Sequence, residues 1–113
     1  MSGAFTHLTA DFIGVSPAQL RDAALLTGLL IAAAGAAGLS ALGTPVVRRL
    51  PTDAVAGVLL LDGCHMSVHA LPDHEILLLD ILVTSAYDPR KALDVFARRL
   101  AAREIHSETR PRG

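Results

Sequence analysis

Apolar and polar residues alternate in some stretches of this chain and give way to unbroken apolar runs in others. His7 to Val15 (HLTADFIGV) is apolar with polar interruptions and predicts a first strand. Ser16-Pro17-Ala18-Gln19 then reads as a helix start. Ser16 can cap, Pro17 suits the first helical position, and Gln19 can close a capping box. The helix is expected to run to about Ala37 and to stop at Gly38, and its small residues from Ala32 to Ala37 let it lie close against a sheet. Leu39 to Leu50 contains a second strand ending in Arg48 and Arg49, followed by the turn residues Pro51-Thr52-Asp53. Val55 to Leu61 (VAGVLLL) reads as a central strand. Asp62-Gly63 resembles a tight turn. His65 to Leu71 continues as a strand in which Met66 and Val68 alternate with His65, Ser67 and His69. Glu75 to Thr84 (EILLLDILVT) is the most hydrophobic strand candidate. Asp88 caps a second helix with Pro89 in its first turn, and Leu93, Phe96 and Leu100 make its apolar face. Arg103 to Thr109 predicts a final edge strand. This order, β-α-β-β-β-β-α-β, implies an α+β fold, a two-layer α/β sandwich whose mainly antiparallel sheet carries two helices on one face.

Composition narrows the picture. The 113 residues fit a single domain, 1–113, and with 51% hydrophobic but only 4% aromatic residues its core must be aliphatic. A formal charge of −1 gives no reason to expect a nucleic-acid partner. The stretch from Ala23 to Val47 has no charged residue and is long enough to span a bilayer. It is diluted by Ala and Gly and interrupted at Gly38, Gly43 and Pro45, so a buried helix followed by a strand is expected, and no membrane partner. The start, MSGAFTHLTADF, lacks the basic residues and apolar run of a signal peptide, and the single cysteine cannot form an internal disulfide; a cytoplasmic protein is expected.

The candidate chemistry concentrates in residues 62–73, DGCHMSVHALPD. Cys64 stands there between histidines and aspartates. It can be a nucleophile with a histidine base, a metal ligand, or a small buried hydrophobe on a strand. Asp62, Cys64, His65, His69 and His74 suit zinc by type. Cys64 and His65 are adjacent, however, and on a strand they face opposite sides, so no metal is expected.

The whole chain resembles the short bacterial S-adenosylmethionine decarboxylases. The likeness lies in HLTADFIGV, the Gly57-VLLLDG run, CHMSVHALPD, DILVTSAYDPRKAL and the terminus REIHSETRPRG, in the family's order. The middle block is the most specific, since the family has Ser-His-x-Ser/Thr-x-His-Thr-Trp-Pro-Glu there. The resemblance implies a two-layer α/β sandwich and a homodimer with active sites at its interface. It also implies a proenzyme whose serine attacks the preceding carbonyl and leaves a pyruvoyl group. That ketone is an electron sink for decarboxylation of S-adenosylmethionine, on the way to polyamines.

Carried over residue by residue, the resemblance puts Cys64 at the self-processing serine. A thiol can make the same first attack, so the implied cofactor is a pyruvoyl group derived from Cys64 if the chain is processed. Gly63 replaces the glutamate before the scissile bond. His69 matches the histidine that assists processing and is expected beside Cys64. His65 matches the histidine directly after the serine and is a substrate-binding candidate; on a strand it should point away from Cys64. Thr84 stands at the cysteine that reprotonates the substrate carbon, Ala56 at a serine that helps processing, and Leu50 at the aromatic that stacks on adenine. Leu71 replaces a tryptophan, and Asp73 replaces a glutamate but keeps a carboxylate for ribose hydroxyls. These changes leave the substrate open between S-adenosylmethionine and another amino acid. They also leave room for an uncleaved homologue: an enzyme using Cys64 with His69 in different chemistry, or a non-catalytic partner paired with an active decarboxylase.

Overall fold

The computed structural model describes residues 3–113. Six antiparallel strands form one sheet in the order β2-β3-β4-β5-β1-β6. They are β1 (Phe5–Ile13), β2 (Val46–Arg49), β3 (Val55–Leu61), β4 (Cys64–Leu71), β5 (Ile76–Thr84) and β6 (Glu104–Arg112). Three helices complete the α+β sandwich: α1 (Pro17–Leu20), α2 (Ala23–Ala36) and α3 (Arg90–Leu100).

The expected first helix is in fact two. Ser16 Oγ accepts the Gln19 backbone N–H, so α1 begins as anticipated. The reciprocal half of a capping box does not form, because the Gln19 side chain donates to the Arg99 carbonyl instead. After one turn the chain breaks at Arg21-Asp22, and Asp22 Oδ1 accepts the Leu25 N–H to start α2. Aspartate competes for backbone donors, which makes it a better cap than an interior residue. α2 ends at Ala36, and Gly38 (φ +72°) turns the chain away. α3, which answers to the second helix expected, starts at Arg90, its N–H held by Asp88 Oδ1. β2 is shorter than the stretch expected to hold it, and β6 runs on to Arg112. None of the helices among the described residues is long and apolar enough to cross a membrane.

The helices cover one face of the sheet only. Leu26, Leu29 and Leu30 of α2 and Leu93, Phe96 and Leu100 of α3 pack on Leu8, Ala10 and Phe12 of β1, Met66 and Val68 of β4, and Leu77, Leu79 and Ile81 of β5. Each large side chain so buried contributes about 1.5–3 kcal/mol. Phe12 and Phe96 meet there as a tilted ring pair, centroids 6.4 Å apart. The other face stays open, and the period-two alternation decides which residues it displays: Val58 and Leu60 on β3; His65, Ser67, His69 and Leu71 on β4; Leu78, Asp80, Leu82 and Thr84 on β5. Gly57 lets the sheet close under β2, because a Cβ there would lie 2.9 Å from Val47 Cγ2.

Candidate functional site

The expected self-processing position sits at one end of the sheet. Leu61 and Cys64 are the last pair of the β3–β4 ladder, and Asp62-Gly63 closes it as a two-residue hairpin turn. Gly63 is exposed with φ +73°, a conformation costing other residues about 1–2 kcal/mol. Thr84 lies at the same end: a methyl group on Gly63 would stand 3.9 Å from Thr84 Cγ2. The hairpin thus brings Gly63 and Thr84 together, while the Cys64 side chain turns to the opposite face of the sheet.

His69 is elsewhere, which corrects the expectation that it lies beside Cys64 in the same chain. The Cys64 side chain points to the helix face, 6% exposed and inside the aliphatic core with Met66 and Val68. His69 is five residues further along β4, about 16 Å at 3.3 Å per residue, and faces the open side. Odd spacing on a strand reverses the face, so the argument that turns His65 away applies equally to His69. His65 is exposed on the open face between Leu60 and Leu82.

His69 lies across the ladder from Ala56 and Leu78. Together with Arg48, Ser67, Leu71 and Asp80 these residues line a concavity of about 650 Å³ on the open face. The resemblance had pointed to His69, Leu71 and Ala56. Arg48, Ser67 and Asp80 were not anticipated, although Asp80 is the single charge in an otherwise apolar strand. His7 Nε2 lies 3.0 Å from Asp80 Oδ1 across β1 and β5.

Leu50 and Asp73 fall outside this concavity. Leu50 is in the β2–β3 connection, its N–H bonded to the Ala54 carbonyl. Asp73 sits in a 3₁₀ turn with its carboxylate 3.7 Å from Arg21 Nη2, lining a smaller hollow of about 160 Å³ beside Leu71 and His74. Arg21 also holds Asp53 at 2.8 Å, and this hydrogen bond is the main cause raising the arginine pKa. Asp73 is therefore part of a surface clamp. Among the described residues no three His, Cys, Asp or Glu side chains cluster for a metal.

The family model for S-adenosylmethionine decarboxylase matches residues 6–113. The chain is 30% identical over 109 residues to the S-adenosylmethionine decarboxylase proenzyme of Symbiobacterium thermophilum, covering 95% of this chain and 81% of that protein. It is 29% identical to the proenzyme of Persephonella marina over 108 residues, covering 95% and 80%. A crystal structure of the adenosylmethionine decarboxylase from Aquifex aeolicus superposes with a TM-score of 0.88 at 23% identity, over 100% of this chain and 93% of that one. That likeness is one of fold.

Proposed function

The chain belongs to the S-adenosylmethionine decarboxylase family, and from that premise we propose that it is a self-processing decarboxylase of S-adenosylmethionine or a related amino acid, active as a face-to-face homodimer. One observation carries this reading. The Gly63–Cys64 bond with Thr84, and the concavity with His69 and Ala56, occupy two places along one sheet whose open face has no cover. One protomer cannot bring Cys64 to His69. A two-fold pairing of open faces lays the concavity of each protomer over the hairpin end of the other, so both sites form at the interface. Val46 and Leu60 on that face are 51% and 61% exposed, and apolar area of this kind favours burial.

The residues fit the formation of a pyruvoyl group in position. Cys64 Sγ attacks its own preceding carbonyl, which needs no change of strand face. The Gly63 C–N bond breaks as the C–S bond forms, and the thiol proton passes to the freed amine. Loss of the Cys64 Cα proton, to His69 of the partner subunit, then expels the Gly63 thiocarboxylate. Water releases ammonia and leaves the ketone, which supplies an electron sink when present. The residues of the concavity bind and orient the amino-acid substrate against it.

A second reading, an uncleaved homologue that pairs with an active decarboxylase or works through different chemistry, draws on Cys64 facing the core and on Ala56 and Thr84 lacking the groups the resemblance implies. Intact mass separates the two. Two fragments divided at Gly63–Cys64, the second starting with a pyruvoyl group, support processing; a chain that stays full length after prolonged incubation refutes it. Coexpression of Cys64→Ala with His69→Ala tests the shared site. Cleavage of the His69→Ala chain should return only when the other chain supplies His69.

A further inference from the structure

The two edges of the sheet are built differently. β2 is four residues long and carries two arginines and no acid. β6 is nine residues long, every one exposed, and no strand lies beyond it among the described residues. Such an edge presents a row of unpaired backbone donors and acceptors to another chain. The register fixes which groups it presents. The Ala4 carbonyl accepts the Ser85 N–H, so the even positions of β1 bond to β5 and the odd ones, His7, Thr9 and Asp11, bond to β6. Their partners Arg110, Glu108 and His106 therefore spend their backbone groups on β1. Ile105, Ser107 and Thr109 point theirs outward. Pro111, with no N–H to give, also falls at an outward position.

The side chains of this edge are complementary to themselves. In an antiparallel pairing of two copies about Ser107, Glu104 stands opposite Arg110, and His106 opposite Glu108, and the two-fold repeats both pairs. Ile105 stands opposite Thr109, so the outward groups of Ile105, Ser107 and Thr109 meet as hydrogen-bonded pairs. A centre one residue away spoils the match. About His106, Glu104 faces Glu108. About Glu108, that glutamate faces itself and Ile105 faces the donorless Pro111. Within one protomer the ion pair of this strand is His106 with Glu104, at 3.8 Å between exposed side chains.

We propose that β6 docks on β6 of a second copy, antiparallel about Ser107, and joins two six-stranded sheets edge to edge. This edge is separate from the open face, and the pairing does not rest on the facing dimer. One strand edge buries well under the about 1,200 Å² of a stable interface, so the pairing belongs to concentrated protein at low salt. Disulfide capture under those conditions tests it. Ser107 is the residue that opposes itself, with Cα atoms about 5.5 Å apart, within disulfide range. Ser107→Cys with oxidised glutathione should therefore give linked pairs of chains. The unsubstituted chain, whose Cys64 is buried, gives the background. Thr109→Cys puts its two thiols four residues out of register, about 13 Å along the strand, and should link about tenfold more slowly. Added to Ser107→Cys, either Glu104→Lys or Arg110→Glu alone should slow linking about tenfold, since each reverses two cross-strand pairs. Mixing those two chains should restore fast linking as a mixed disulfide, identified by mass, because every reversed residue then meets an opposite charge. All four positions are exposed, and an unchanged melting curve confirms that each variant is folded. Ser107→Cys linking no faster than background or than Thr109→Cys overturns the proposal. So does a mixture that links no faster than its components.

Discussion

Cys64→Ser restores the hydroxyl that the family resemblance implies, yet the structure expects it to destabilise the fold. The Cys64 side chain is 6% exposed, and its neighbours on that face are Met66, Val68 and the helix layer. Among the described residues no polar side chain is buried in the core, so a serine hydroxyl there meets no buried side-chain partner. An unsatisfied buried hydroxyl costs about 1–3 kcal/mol. Cys64→Ala removes the same sulfur without adding a group that needs a partner, so its cost should be smaller. For a domain of this size each kcal/mol moves the midpoint by about 4 °C. The assay is thermal and urea unfolding of freshly purified, full-length chains, with intact mass confirming that none is cleaved. The expected order of stability is wild type, then alanine, then serine. A serine variant as stable as the alanine variant would mean that position 64 faces polar surroundings, and the description of the hairpin end would be wrong.

The glycines offer a matched pair. Gly63→Ala should cost about 1–2 kcal/mol through its positive φ alone, since the added methyl meets only Thr84 at ordinary contact distance; Gly28→Ala, in the exposed part of α2 with nothing within 4 Å, should stabilise by about 0.5–1 kcal/mol, and unfolding curves check both signs. Leu60→Asp places a charge on the open face and should shift the protein from dimer to monomer in light scattering, with little loss of stability in the monomer because Leu60 is already exposed. A thiol reagent at neutral pH should label Cys64 slowly in the native protein and rapidly in urea; fast native labelling would contradict its burial.

The elements were largely legible because their signals are local. Ser16-Pro17 and Asp88-Pro89 mark helix starts, Asp62-Gly63 marks a hairpin, and the alternation in β4 sorts its residues between two faces. That alternation also held the correction to the site: Cys64 and His69 differ by an odd number, and parity alone separates them. The break at Arg21-Asp22 was harder to see, because α2 is apolar nearly all round and its composition hides both its face and its start. The concavity was least legible. Arg48, Ser67 and Asp80 come from three strands, and their meeting depends on the register of β2 on β3, β3 on β4 and β4 on β5, which no local pattern encodes. The same holds for Asp73, whose position follows from Arg21, distant in sequence.

The strand order bears on what happens once the hairpin is cut. Residues up to Gly63 contribute β1, β2 and β3, and those from Cys64 contribute β4, β5 and β6. Yet β1 lies between β5 and β6, so the amino-terminal piece is threaded into the sheet of the carboxy-terminal one. The severed halves are interlocked and should travel together through any native separation. Their unfolding, by contrast, releases two molecules from each protomer instead of one, so the melting point of a cut protein should rise more steeply with concentration than that of the uncut dimer.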